Sequence, residues 1–333
     1  MSRSLSSLNA AGEAFRSSVL TSPASLAAAL LTRAPPSVLD ATWYLDKTKD
    51  ARGEYNVRRI PSARFFDLDA VSDKSSTLPH MLPAVGTFSA AMRSLDVSLS
   101  RPVVIYDATG VSSAAARVAF TLRAFGHKSA HVLDGGLPRW LKEGREMETN
   151  KLNTSSPTHP NPSMGLDGWA LSSNYVRDIA AIRALNAGGE SKSDTLTQRQ
   201  ARELVVDARP ALRFTGAVPE PRPIPSGHMA RARSVPSASL TDATGALLPV
   251  EALRAAFKAG GVDVGRKGPL VLSCGSGVMA CTLWLALRVC GRPEGFDSVY
   301  DGSWTEWATV AQDTKATDGL IKAGPADPMT SDY

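Results

Sequence analysis

Short runs of consecutive apolar residues punctuate the chain, and between them lie longer stretches with apolar residues every three to four positions. The runs Val38–Ala41, Ala63–Leu68, Val103–Asp107 and Ala130–Leu133 read as buried strands. So do Leu204–Ala208, Ala232–Val235, Leu270–Cys274 and Ser298–Tyr300. Helical periodicity covers Ala114–Phe125 and Leu137–Glu143 in the first half, and Val250–Ala259, Met279–Val289 and Thr305–Val310 in the second. Gly126, Gly144, Gly260 and Gly291 stand where helices of this kind stop. Strands alternating with helices predict an α/β fold with mainly parallel sheets flanked by helices.

The pattern occurs twice. Val38-Leu39-Asp40-Ala41 is answered by Val205-Val206-Asp207-Ala208, and Val103–Asp107 by Leu270–Cys274, at one constant offset. Val132–Gly136 answers Val299–Ser303 and Trp140 answers Trp307 at that same offset. So many landmarks in one register predict a duplicated domain. The expected organisation is an extension over residues 1–16, a first unit over 17–149, a linker over 150–168, a second unit over 169–312 and a tail over 313–333. Pro157, Pro160 and Pro162 among Ser, Thr and Asn give the linker its loop composition. A polar insertion is expected at Ala187–Thr197, and a frayed tail after Thr314.

The copies differ at one place that matters chemically. The central strand of the first ends in Asp107, and that of the second ends in Cys274. Gly275-Ser276-Gly277 and then a helical pattern follow the cysteine. A thiol between a strand end and a helix start sits among backbone amides that lack partners of their own. The glycines let successive amides turn inward as an anion-binding nest. That setting favours a thiolate, and it would equally hold an anionic persulfide.

Composition narrows the alternatives. The chain has 333 residues, 43% hydrophobic and 21% charged, with a net charge of +5, so it is an ordinary globular sequence with a mild positive field suited to a small anionic substrate. No block of Lys or Arg supports nucleic-acid binding, and no apolar run approaches the roughly 20 residues of a membrane span. Three cysteines without a CxxC pair argue against a disulfide scaffold or structural zinc. His127, His131, His159 and His228 show no metal-ligand spacing, and no cofactor is expected. The Ser-rich start, with Arg3 and Arg16 against Glu13, fits a short mitochondrial presequence or the tail of a cytoplasmic protein.

A duplicated α/β unit with Cys274-Gly275-Ser276-Gly277-Val278 in its second copy resembles the tandem rhodanese family. The resemblance runs from Ser18 to Trp307 and includes Val38–Leu45, Phe65–Asp69, His80-Met81-Leu82-Pro83, Arg213-Phe214, Pro219–Arg222 and Tyr300–Trp304. It implies two tandem rhodanese-like domains, the first without catalytic function, and a sulfurtransferase working through a persulfide on Cys274. It further implies substrate binding by Arg213 and Arg222 and by the loop residues Gly275, Gly277, Val278 and Met279. Ser276 would pass a proton with His80 and Asp69 behind it, in the manner of a triad. Read without the resemblance, the two arginines are surface residues within reach of Glu220, and His80 is a hydrogen-bonded structural histidine.

Thiosulfate-preferring members of the family carry Arg-Lys after the cysteine, and this chain has Gly275-Ser276. The expected donor is therefore 3-mercaptopyruvate, a small anionic sulfur donor, with pyruvate released. Cyanide, a small thiol or thioredoxin is the expected acceptor. A thiosulfate:cyanide sulfurtransferase is the alternative within the same fold. A catalytically idle sulfur-binding module is another, favoured only by Met279, where the family usually has a threonine able to donate to sulfur. A cysteine-dependent phosphatase needs an arginine six positions after the cysteine, where Ala280 stands.

Overall fold

A computed structural model describes residues 18–110, 113–149, 168–187, 202–313 and 320–326. The expected N-terminal extension, nearly all of the expected linker and insertion, and much of the tail lie outside these residues. The chain forms two units. One gathers the described residues up to Lys74, those of Leu82–Leu171, and Asp242–Leu247. The other gathers Ser75–Met81, Ser172–Thr241 and the described residues from Leu248 on. Each unit thus takes one short segment from the other half of the sequence, and the two segments start at equivalent positions of the repeat, Ser75 and Asp242.

The first unit is built on five parallel strands: β1 (Leu20–Thr21), β2 (Ser37–Asp40), β3 (Arg64–Phe65), β4 (Val103–Tyr106) and β5 (Ala130–Leu133), in the order β1-β5-β4-β2-β3. Its helices are α1 (Pro23–Leu30), α2 (Ala51–Val57), α3 (Leu68–Val71), α4 (Val85–Ser94), α5 (Ser113–Ala124) and α6 (Gly136–Lys142). Ser22 caps α1 by accepting from the Ser25 amide at 3.1 Å, with Pro23 preset for the first turn. Val38, Val104, Tyr106 and Leu133 from the sheet close a core with Leu26, Tyr55 and Trp140.

The second unit repeats this order. Its sheet strands are β6 (Val176–Arg177), β7 (Leu204–Asp207), β9 (Arg233–Ser234), β10 (Leu270–Ser273) and β11 (Ser298–Tyr300), with the short β8 (His228–Met229) preceding β9. They run β6-β11-β10-β7-β9, all parallel. The central strand β10 is buried along its whole length, which explains its unbroken apolar sequence. Helices α7 (Ile179–Ala187), α8 (Ala211–Phe214), α9 (Val250–Ala259), α10 (Ala280–Val289) and α11 (Ser303–Asp313) complete it. Every residue of α10 from Ala280 to Leu287 is buried, as a helix apolar on all sides requires. Cys281 and Cys290 are buried and form no disulfide among the described residues, and the Cys281 thiol donates to the Gly277 carbonyl at 3.3 Å.

Three expectations need correction. The apolar run Ala63–Leu68 is strand only at Arg64–Phe65, because Asp67 caps a helix turn by accepting from the Ala70 amide at 2.9 Å. Helix α11 begins at Ser303 and ends at Asp313, extending its pattern at both ends. The tail does not simply fray: β12 (Ile321–Lys322) pairs antiparallel with β8, and the Trp307 indole donates to the Leu320 carbonyl at 3.0 Å. Among the described residues no helix is long and apolar enough to cross a membrane.

Candidate active site

Cys274 follows the last residue of β10, and α10 begins at Ala280, so the cysteine loop joins the centre of the sheet to a buried helix. Cys274 is 1% exposed, and Gly275, Ser276 and Met279 are the residues of the loop that reach solvent. A Cβ built on Gly275 would meet no atom within 4 Å, so open space lies over the residue after the thiol. Gly277 has φ +75°, a left-handed conformation that glycine adopts at no steric cost. The amides of Gly275, Ser276, Val278 and Met279 donate to no other group among the described residues.

The first copy shows what such a loop accepts. There Asp107 occupies the place of Cys274, and its Oδ1 receives the Thr109 amide and hydroxyl, both at 2.7 Å. Thr109 corresponds to Ser276 in the register of the repeat. The anion at this position is thus a carboxylate in one unit, and in the other the corresponding amide is left open beside a sulfur.

The following element fixes the cysteine backbone. Ser303 Oγ accepts from the Cys274 amide at 3.1 Å and donates to the Tyr300 carbonyl at 2.8 Å. The Trp304 amide donates to the Cys274 carbonyl at 3.0 Å, and the Thr305 hydroxyl to the Gly275 carbonyl at 2.6 Å. Ser303 has φ +52°, a region costly for a residue with a Cβ. Its counterpart in the first unit is Gly136, also at φ +52°, where a Cβ would fall 2.5 Å from the Asp107 carbonyl. The second unit accepts the strained backbone and gains a hydroxyl under the cysteine amide.

Beside the loop lies a buried charge cluster. Ser273 and Asp207 are register partners on adjacent strands. Arg209 Nη2 donates to Asp207 Oδ2 and to the Gly227 carbonyl, each at 2.7 Å, and Nη1 donates to Glu220 Oε1 at 2.7 Å. Its guanidinium lies 4.3 Å from the centre of the Trp304 ring. Burial pushes the Arg209 pKa down, but Asp207 and Glu220 outweigh it and hold the value above the ordinary one. Arg213, at the end of α8, faces the other Glu220 oxygen at 4.0 Å and is 23% exposed. The half-buried Arg222 side chain makes no ion pair among the described residues. Two guanidinium groups are thus available on one segment, with Glu220 committed chiefly to Arg209.

Asp69 and His80 fall in different units. Asp69 Oδ2 accepts from the Trp43 indole at 3.0 Å and stands 3.6 Å from Lys47 Nζ. His80 occupies a turn at φ +61° and is partly buried. Among the described residues, no group of three or more His, Cys, Asp and Glu side chains could hold a metal ion.

A rhodanese-like domain model matches residues 24–143. The chain is 37% identical over 281 residues to thiosulfate/3-mercaptopyruvate sulfurtransferase 1, mitochondrial, of Arabidopsis thaliana, covering 82% of this chain and 71% of that one. It is 39% identical over 283 residues to 3-mercaptopyruvate sulfurtransferase of Rattus norvegicus, covering 84% and 86%. The chain belongs to the rhodanese family of sulfurtransferases. Thiosulfate sulfurtransferase of Bos taurus is 36% identical over 273 residues, covering 81% and 84%. The crystal structure of SseA from Escherichia coli, a 3-mercaptopyruvate sulfotransferase with the rhodanese fold, matches with a TM-score of 0.70 at 30% identity, covering 86% of this chain and 99% of that one.

For a rhodanese-family sulfurtransferase the residues that sequence reasoning missed are Arg209, Ser303 and Thr305. Arg209 directly follows the landmark Val205–Ala208, and Ser303 closes the landmark Val299–Ser303. The informative signal was the difference between copies: Arg209 stands where the first copy has Thr42, and Ser303 where it has Gly136.

Proposed function

We propose that the chain takes sulfane sulfur from 3-mercaptopyruvate onto Cys274 and passes it to cyanide, a small thiol or thioredoxin. The Cys274 thiolate attacks the donor sulfur, the carbon–sulfur bond breaks, and a sulfur–sulfur bond forms. The electron pair goes to the methylene carbon, which takes up the proton of the donor thiol and leaves as pyruvate. Ser276 carries that proton, with His80 and Asp69 completing the relay as the family resemblance implies. Arg213 and Arg222 hold the 2-oxo acid, whose carboxylate and carbonyl suit planar guanidinium forks. The open loop amides hold the persulfide anion until an acceptor thiolate or cyanide attacks the outer sulfur and restores Cys274.

The observation that carries this reading is that Cys274 stands at the register position where, in the other copy, the Asp107 carboxylate accepts the Thr109 amide and hydroxyl: a thiol where the first copy seats a carboxylate. Gly275-Ser276 in place of two cations supports the uncharged thiol end of mercaptopyruvate over dianionic thiosulfate. The test is kcat/KM of the purified protein on the two donors with cyanide and with reduced thioredoxin, beside mass spectrometry of the loaded protein. A gain of about 32 Da on Cys274 and a preference for mercaptopyruvate are expected. Preference for thiosulfate would make the protein a thiosulfate:cyanide sulfurtransferase, and absence of any adduct would make it an idle sulfur-binding module.

A further inference from the structure

The first unit contains a cavity of about 860 Å³ whose lining includes Asp40, Thr42, Tyr44, Glu54, Tyr55 and Leu137. It lies at the carboxyl end of β2, where ligands settle in open parallel sheets. At the equivalent place in the second unit stand larger side chains. Thr42 corresponds to Arg209 and Leu137 to Trp304 in the register of the repeat. Arg209 and Trp304 are fully buried and stacked on one another there. Their smaller counterparts in the first unit border open space instead.

The carboxylate that Arg209 neutralises has been kept. Asp207 corresponds to Asp40, and both make the same turn: Asp207 Oδ1 accepts from the Arg209 amide at 2.9 Å, and Asp40 Oδ1 from the Thr42 amide at 2.9 Å. Asp40 also accepts from the Thr42 hydroxyl at 2.5 Å and faces the Tyr106 hydroxyl. It is 3% exposed and has no cation beside it among the described residues. Burial raises its pKa, as expected for a carboxylate without a counter-charge. Tyr44 donates to Glu54 Oε2 at 2.7 Å, and its phenol is pushed up by burial first and then by Glu54, with smaller contributions from Asp107 and Asp40. One buried carboxylate, Asp40, and one exposed carboxylate, Glu54, thus line the cavity. Lys49 and Arg58 stand on its exposed rim, and Val57 adds an exposed apolar edge.

We propose that this cavity binds a small molecule carrying a guanidinium group on an apolar tail, the guanidinium seated on Asp40 as that of Arg209 is seated on Asp207. A planar fork matches the carboxylate, while the Tyr44 and Tyr55 rings already carry cations of the chain, with Lys49 Nζ 5.0 Å and the Arg59 guanidinium 5.3 Å from the ring centres. This gives the first unit a function of its own: sensing or holding a cationic ligand.

The probe is butylguanidine, with the neutral isostere butylurea as control, titrated into the full-length protein by isothermal calorimetry. A ligand of this size is expected to bind with a Kd on the order of millimolar. Butylurea should bind at least about tenfold more weakly, since it lacks the charge-assisted pair. Thr42→Arg supplies an internal guanidinium and should abolish binding of butylguanidine in a protein that still folds by circular dichroism. Equal binding of the two compounds, no saturable heat, or undiminished binding in the folded Thr42→Arg protein would each overturn the proposal. Should Thr42→Arg fail to fold, the comparison of the two compounds on the unsubstituted protein decides alone.

Discussion

The Arg209 guanidinium grips the Asp207 carboxylate with Nε at 3.0 Å and Nη2 at 2.7 Å from Oδ2, and neither side chain reaches solvent. Two residues apart in sequence, they are the charged floor beside the cysteine loop. Removing the guanidinium leaves Asp207 buried without its counter-charge, and Glu220 with only Arg213 at 4.0 Å. Arg209→Ala is expected to cost roughly 3–5 kcal/mol in urea unfolding. Arg209→Lys should recover only part of it, because one ammonium cannot serve Asp207, Glu220 and the Gly227 carbonyl together. A Glu220 released from Arg209 should also turn to Arg213 and raise KM for the donor. Full stability in Arg209→Ala would show that the pair contributes nothing net.

Gly275 and Gly277 make different demands, and alanine separates them. At Gly277 the positive φ disfavours any Cβ, at a cost of roughly 1–2 kcal/mol, and the loop amides must shift. Gly277→Ala should therefore lower both the unfolding midpoint and sulfur transfer. At Gly275 the Cβ meets empty space, so Gly275→Ala should leave the midpoint unchanged. Its effect should be confined to KM for the donor, since the proposed reaction brings the donor to that empty space. Equal loss of stability in the two variants would contradict this division.

The repeat and the central strands were legible because parallel strands buried on both faces must be apolar throughout, and Val103–Tyr106 and Leu270–Ser273 are. Edge strands such as Leu20–Thr21 and Val176–Arg177 are too short to leave a pattern. Helix α2 carries Gly53 and one buried residue, Tyr55, so its periodicity is weak; its start depends on Asp50 accepting from the Gly53 amide at 2.9 Å. Cys274 stood out in the sequence by its glycine-flanked loop between a strand and a helix. Arg209 did not, because an arginine reads as surface until its two buried carboxylate partners are known, and Glu220 comes from a separate turn of the chain.

Arg213 tests the donor assignment. Its guanidinium is 4.0 Å from a Glu220 oxygen and partly exposed, a loose pair that a substrate carboxylate can displace. Arg213→Ala should lower kcat/KM for mercaptopyruvate by about tenfold to a hundredfold, the usual value of a charge-assisted fork. The loss on thiosulfate, which has no carboxylate, should be smaller. An equal loss on both donors would count against a carboxylate clamp at this position.

Met279 precedes the first residue of α10 and is partly exposed on the cysteine loop. A threonine there would add a hydroxyl able to donate to the sulfur. Met279→Thr is expected to raise sulfur transfer or leave it unchanged, measured as turnover with cyanide as acceptor. A clear fall would show that the thioether has a role of its own in the loop.

His131 gives the fold a pH dependence with a defined sign. Its Nδ1 lies 2.6 Å from the Ser18 carbonyl and its Nε2 is 2.9 Å from Ser129 Oγ, in the interior of β5. Burial, the dominant cause, lowers its pKa to about 4 from an ordinary 6.5. Between those two values the unfolded chain binds a proton at this residue and the folded chain does not. Stability from this group is therefore complete above pH 6.5 and is lost as the pH falls toward 4, by an amount on the order of 3 kcal/mol. Replacing the imidazole by the non-titrating amide of His131→Gln should lower stability at neutral pH but flatten its decline between pH 6.5 and about pH 4. The measurement is the urea midpoint of both proteins across that range. Parallel curves would show that the acid sensitivity of the fold resides elsewhere.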